Sequence, residues 1–572
     1  MGRTGFTARR APRAATTVVA LASLLGGMAC SGGDDDDDAA PDDREVTDEG
    51  EEVSSDGMPR LHAERGSQPG IFDEDGRQVI LRAVNLNSLA EYAQNHPDYE
   101  PTRPLTGDDW DQIAAEGFNA VRLLVSWSRL EPERGQIDAD YVEQIRQAVG
   151  DAANRGLYTV IDMHQDAWGP FVATPPGSVC APGLEPSNGW DGAPEWATPS
   201  PTELDSCRPV DGEDKPGSEL VTEAWHRFYT DADGVQGRLV AVWQHLAESL
   251  ADEPSVAGYD LLNEPGHGRG DTAPAALLAE LAPLGDFYAR AIDAIRDGES
   301  EAGIEPRPIF FEPTVLGSPP PADFSDDPGL VYAPHVYGGS IVTFITVDQH
   351  WDIVAGQAAT FETSLWIGEY GWFDDPVAHP ELVERLERFA VREDGGVAAD
   401  APSSGAAPPG RAPYVPAGSA WWEWTNACGD PHRITDRGLT PQGDVWQYRL
   451  VTCPDGEDHG VVPQWRDVVT RAYPRYAPGW LVRLESPSTG AGGGMVLAAS
   501  EAEPGAVVEL WVPGELEPEV DGTGIVGVAT RRSGLGWNVT AEVCAEEYTV
   551  TVGDNAIPRL ASCDEAGDDA AD

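Results

Sequence analysis

From residue 61 onward the sequence alternates between short apolar runs rich in β-branched residues and longer amphipathic stretches. A strand covered on both faces reads as a continuous apolar run, and the helix that covers it is apolar along one stripe only, so this alternation marks βα units. Candidate strands fall at 79–85, 120–125, 158–163, 257–263, 308–311, 330–335, 364–369 and 420–424, with helical stretches such as 140–153 and 234–250 between them. Eight such units predict an α/β fold, a (β/α)8 TIM barrel, whose functional groups stand at the C-terminal ends of the strands. The Pro- and Gly-rich segment 170–217 is too long for a simple connection and is expected on that same side.

After residue 473 the pattern changes to short alternating runs at 480–484, 495–499, 507–512, 525–528, 538–543 and 548–552, separated by Gly- and Pro-rich turns. That spacing reads as a C-terminal all-β sandwich. The expected organisation is therefore a leader at 1–30, an acidic tether at 31–60, the barrel at 61–472, the sandwich at 473–563 and an acidic tail at 564–572.

The leader has a basic start at Arg3, Arg9, Arg10 and Arg13, then an apolar stretch of signal-sequence length, too short to span a bilayer. It ends in Gly27-Met28-Ala29-Cys30, which resembles a bacterial lipoprotein cleavage site, with Cys30 as the lipid attachment point. An ordinary signal peptide cut nearby is the alternative, and on both readings the mature protein is exported. The segment following Cys30 holds 13 acidic residues in 27 and almost nothing bulky to bury, which suits a solvated spacer.

The balance of 98 acidic against 37 basic residues, net −61, excludes nucleic acid as a natural partner and leaves a lipid anchor as the expected route to a membrane. Of the seven cysteines, the six other than Cys30 fall into three sequence-near couples, Cys180–Cys207, Cys428–Cys453 and Cys544–Cys563. Local pairing in an oxidising compartment is the hypothesis, although six cysteines allow 15 connectivities. No CxxC or His cluster accompanies them, so no structural metal is expected.

The segment YDLLNEPGHG closes an apolar run with Asn263 and Glu264, and LWIGEYGW closes another with Glu369. Two carboxyls brought from different strands to one barrel mouth are what glycoside hydrolysis requires, one to protonate the leaving oxygen and one to attack the anomeric carbon. An exposed Asn-Glu-Pro turn would explain Glu264 taken alone; the second glutamate is what argues against it. Further stations follow in order: Arg122 in VRLLVSW, His164 and Asp166 in IDMHQD, His335 and Tyr337 in APHVY, and Trp424 in WWEW. Arg122 is open to reading as a structural ion pair, and the two histidines as core residues.

With these motifs in this order the chain resembles glycoside hydrolase family 5, and within it the endoglycoceramidase-like group. The resemblance covers roughly residues 61–469, and DMHQDAWG, NGWDGAPEWAT and the run into GYDLLNEP carry the subgroup. It implies Glu264 as acid/base, Glu369 as nucleophile, Asn263 on the sugar 2-hydroxyl, and Arg122 and Tyr337 as support for ionised Glu369. It further implies His164 and His335 as pocket walls, Asp166 as a sugar ligand and Trp424 as the platform under the sugar. No cofactor is implied, and the partner is a glycan or glycolipid substrate. The stretch after the first strand lacks the lysine expected near the sugar in that group; Lys215, the single lysine, lies in the long insertion. Two alternatives stay open: a family 5 enzyme for another β-glycan or simple β-glucoside, and a non-catalytic glycan-binding surface lipoprotein. The oligomeric state stays open as well.

Overall fold

The computed structural model describes residues 57–93, 98–210, 217–268, 274–395, 415–435, 438–439, 446–488, 493–553 and 563. The leader with Cys30, nearly all of the acidic tether, Lys215 and the acidic tail lie outside the described residues. Among the described residues no helix is long and apolar enough to cross a membrane.

All eight expected barrel strands are present. In chain order they are Leu81–Leu86, Ala120–Ser126, Tyr158–His164, Val256–Asp260, Ile309–Phe311, Leu330–Tyr332 continued by His335–Val336, Ser364–Tyr370 and Gly418–Trp421. Each pairs in parallel with its neighbours, and the eighth pairs with the first (Gly418↔Leu81 to Trp421↔Val84), so the barrel is closed. Pro334 interrupts the sixth strand, because proline has no N–H to give to the ladder. The helices form where apolar residues recur at helical spacing. Ala139–Ala153 buries Tyr141, Val142, Ile145, Val149 and Ala152, and Asp138 caps it by accepting from the Asp140 and Tyr141 amides.

Inside the barrel the side chains change character with height. Near the N-terminal ends the filling is apolar, with Leu81, Ala83, Ala120, Val160, Phe310 and Trp366. Two residues further along the same faces stand Asn85, Arg122, Asp162 and Glu312, all buried. Period-two geometry carries each strand's inward face from the apolar floor to a polar upper layer. A register shift between Ile367 and Tyr370 interrupts that alternation on the seventh strand. There Glu369 faces Arg122, while Tyr370 stacks at 4.0 Å on Phe389 of the helix Glu381–Glu393.

The C-terminal runs form the expected sandwich: Trp480–Glu485, Met495–Ser500, Tyr548–Val552 and Val520–Thr523 in one sheet, Tyr473–Pro478, Val507–Pro513, Gly536–Val543 and Ile525–Ser533 in the other. The second sheet differs from expectation. It is seven-stranded and takes in three strands from before the barrel, Leu61–Glu64, Gly70–Asp73 and Arg77–Val79, the last pairing antiparallel with Tyr473–Pro478. Residues 61–79, assigned to the barrel by sequence, therefore extend the sandwich. Cys180 is bonded to Cys207, Cys428 to Cys453 and Cys544 to Cys563. The first bond staples the long insertion, whose irregular chain is also pinned by a two-residue antiparallel pairing of Leu184–Glu185 with Arg208–Pro209.

Candidate active site

Arg122 is fully buried at the centre of the upper layer. Its guanidinium donates to Asp260 (2.9 Å), Glu312 (2.9 Å), Glu369 (2.9 Å), Asn85 (3.0 Å) and Asn263 (3.0 Å), and lies 3.0 Å from Asp162. Burial alone would favour the neutral form. The four surrounding carboxylates outweigh it and push the guanidinium pKa further up, so the cation is permanent.

Both oxygens of Glu369 are held. Oε1 accepts from Arg122, and Oε2 accepts from the Tyr337 hydroxyl at 2.8 Å. Burial, with the Glu369 and Glu264 carboxylates beside it, raises the Tyr337 phenol well above its ordinary range, so it stays protonated and serves as a donor. Opposite, Glu264 Oε1 lies 2.7 Å from Nδ1 of His335, which is itself 3.3 Å from Glu369. A carboxylate oxygen of Glu264, one of Glu369 and a ring nitrogen of His335 all lie within 4.8 Å of one another. His335 is pushed up to about 10: burial opposes the charge, and Glu312, Glu369 and Glu264 together overcome it.

Asn263 accepts from Arg122, and its amide donates to the Gln165 carbonyl at 3.1 Å. Asn263 and Glu264 leave the strand in a sharp turn, with Glu264 in the left-handed region (φ 37°). Sequence reasoning passed over Glu312, Asp260, Asp162 and Asn85. The signal for Glu312 was present, since PIFFEP closes an apolar run with a glutamate and a proline as LLNEP does.

His164 ends the third strand on the neighbouring wall, and Asp166 follows it in the loop. His164 Nδ1 lies 2.6 Å from Asp162, and its Nε2 is 3.7 Å from Asp166. Asp191, from the long insertion, is buried beside them, and the insertion backbone accepts the Asp166 amide. Burial first, then neighbouring carboxylates, push Asp191 up to about 7, while His164, with burial against it, is raised by Asp191 and Asp162. Among the described residues, three groups have donor spacings that suit a cation. The Asp162–Asp260–Glu312 group already holds the Arg122 guanidinium. The Glu264–His335–Glu369 group is the carboxylate pair with its histidine, and His164–Asp166–Asp191 is the third.

The platform assignment changes. Trp424 has no exposed surface; its indole N–H donates to Asp109 at 3.1 Å and its ring stacks on Tyr448 at 5.7 Å. The strand stops at Trp421, so alternation does not carry across the following turn, and Trp421 and Trp424 both enter the outer core. Trp422 instead stacks on His164 at 5.6 Å and 13° and packs with Tyr337, which places its ring on the wall of the carboxylate site. Trp422→Ala is expected to lower kcat/KM about tenfold, from loss of ring stacking worth about 1.4 kcal/mol. Trp424→Phe leaves a buried acceptor short of a donor, costs about 1–3 kcal/mol of stability and keeps kcat/KM near wild type. Steady-state kinetics with urea melts of both variants test this; the reverse pattern restores Trp424 to the site.

Comparisons with known proteins agree with this geometry. The family model for cellulases of glycosyl hydrolase family 5 matches residues 72–381. Among characterised relatives, endoglycoceramidase I of Rhodococcus hoagii is 29% identical over 287 residues, 47% of this chain and 51% of that protein, and an endoglycoceramidase of Hydra vulgaris is 29% identical over 262 residues, 42% and 47%. The chain thus spans about half the length of the curated relatives it matches. Among solved structures, an endogalactoceramidase superposes with a TM-score of 0.74 at 38% identity, over 87% of this chain and 100% of that one. Endo-glycoceramidase II from Rhodococcus sp. shares the fold at TM-score 0.58 and 24% identity, over 85% and 99%. With a closed eight-stranded barrel, a glutamate at the ends of its fourth and seventh strands, and a family match over more than half its length, the chain belongs to glycosyl hydrolase family 5.

Proposed function

We propose that this protein is a retaining β-glycosidase that cleaves the bond between a glycan and the ceramide of a glycosphingolipid. The observation that carries the mechanism is the approach of the Glu264 and Glu369 carboxyl oxygens within 4.8 Å of each other. Retaining enzymes keep the two carboxyls about 5–5.5 Å apart, whereas inverting enzymes need about 6.5–9.5 Å to admit a water. Glu369, with Arg122 and Tyr337 on its two oxygens, attacks the anomeric carbon. Glu264 protonates the departing oxygen, then takes a proton from the water that hydrolyses the glycosyl–Glu369 ester.

The ceramide class is supported by what the relatives are called, endoglycoceramidase and endogalactoceramidase. A second support lies on the barrel face that carries the two glutamates. The loops leaving the fifth, sixth and seventh strands expose Leu316, Ile341, Phe344 (86% exposed) and Val377, apolar tips suited to an amphiphilic aglycone. Export and anchoring through Cys30, with the acidic segment as spacer, would bring the enzyme to such a substrate at the cell envelope.

The test is release of free oligosaccharide from detergent-dispersed glycosphingolipid by wild type and by Glu369→Gln. Release that disappears in the variant is the expected result. Glu369-dependent cleavage of a simple aryl β-hexoside with no release from the glycolipid keeps the mechanism and refutes the ceramide class. Inactivity on both refutes the enzyme reading.

A further inference from the structure

Glu312 closes the fifth strand and is 1% exposed. Its Oε1 accepts from Arg122 at 2.9 Å and forms an ion-pair contact of 3.2 Å with His335 Nε2. Its Oε2 accepts the backbone N–H of Glu264 at 2.9 Å. A counter-ion for Arg122 alone would be redundant, since Asp260 and Asp162 already stand 2.9 and 3.0 Å from the guanidinium. The other two contacts both lead to Glu264.

The Glu264 backbone sits in a region that side-chain-bearing residues rarely adopt. Its peptide groups are clamped from both sides, the N–H by Glu312 and the carbonyl by Gln165 Nε2 at 2.9 Å. The side chain is aimed by His335 Nδ1, and the far nitrogen of that same ring faces Glu312. We propose that Glu312 is the positioning residue of the acid/base: it sets the Glu264 backbone through the N–H and keeps His335 protonated, so that the ring's Nδ1–H stays directed at the Glu264 carboxyl. This rests on the reading of Glu264 as acid/base.

The groups that face His335 are Glu312, Glu369 and Glu264, with the protonated Tyr337 in edge contact at 6.4 Å, Arg122 across the carboxylates, and His350 of the helix Val347–Phe361. Burial, then the His335 charge, holds His350 down at about 4, so it is neutral and accepts the Gly338 amide. Glu312 is the first of the carboxylates that hold the proton on His335. Removing its charge loosens that proton, so an alkaline limb of kcat/KM set by the protonated ring must move to lower pH.

Two variants separate charge from reach. Glu312→Gln keeps the length and loses the charge; Glu312→Asp keeps the charge and falls short of the Glu264 amide. Each is assayed against pH on an alkyl and a dinitrophenyl glycoside of whichever β-hexose wild type turns over faster. Folded enzyme is counted by labelling Glu369 with a 2-fluoro-glycosyl fluoride. Glu312→Gln is expected to shift the alkaline limb down by a pH unit or more. It loses at least about 100-fold on the alkyl glycoside and less than about tenfold on the activated one, which needs no acid. Glu312→Asp is expected to show the same leaving-group split with the limb unmoved. Equal losses on both substrates with an unmoved limb in Glu312→Gln, or failure of both variants to fold by circular dichroism, overturn the proposal in favour of a structural counter-ion. Glu264→Gln run alongside keeps the outcomes distinct: without a leaving-group split there, the acid/base assignment itself fails.

Discussion

Glu264→Gln will lower kcat/KM on an alkyl β-hexoside by about 10²–10⁴-fold, the usual yield of a general acid, and will leave an activated aryl glycoside within about tenfold. The split arises because an alkoxide cannot leave without a proton, whereas dinitrophenolate can. On the activated substrate the second step becomes limiting, because nothing remains to deprotonate water, and the glycosyl–Glu369 ester accumulates. Azide, which needs no base, then attacks the anomeric carbon, displaces the Glu369 carboxylate and restores turnover. Two inversions in sequence make the product a β-glycosyl azide, identified by NMR. An α-azide, or no rescue at any concentration, refutes the pairing of roles between Glu264 and Glu369.

Arg122→Met will be the most destabilising single change in the barrel. It leaves Asp162, Asp260, Glu312 and Glu369 buried around an apolar side chain, and removing one partner of a buried ion pair costs about 3–5 kcal/mol. The deficit has a defined pH dependence. Burial already raises the Asp260 and Glu312 carboxyls, and loss of the cation raises them further. A native-state pKa above the unfolded one favours the folded state only while the group is protonated. The variant's deficit is therefore largest above neutral pH and shrinks as pH falls through the raised values. Urea midpoints of wild type and variant between pH 5 and 9 measure it; a deficit that grows on acidification contradicts the account.

The barrel was legible because its strands read as largely apolar runs and each covering helix is apolar on one stripe, so runs such as 120–125 and 158–163 stand out, despite Arg122 and Asp162, without tertiary information. Glu264 and Glu369 were legible because charge at the end of such a run has to be explained by something outside the strand. The Trp422–Trp424 error has a local cause. Alternation assigns faces only while the chain stays extended, and the eighth strand ends one residue before Trp422. Glu312 was hidden differently, as its importance lies in contacts to residues 48 and 23 positions away that no local pattern encodes. The seven-stranded sheet was the least readable element, because strands of three and four residues such as Arg77–Val79 and Leu61–Glu64 give too short a period to count.

That sheet has a bearing on biosynthesis. Val79 pairs with Tyr476, so the first-made strands of the described chain wait for a partner strand made only after the whole barrel. Until some 400 further residues have been synthesised, the rim of Arg77–Val79 presents bare N–H and C=O groups to whatever lies nearby. The barrel is in effect threaded between two halves of one sheet. Removal of the C-terminal module would therefore not yield a smaller enzyme, but one with an open adhesive margin beneath an otherwise intact catalytic face.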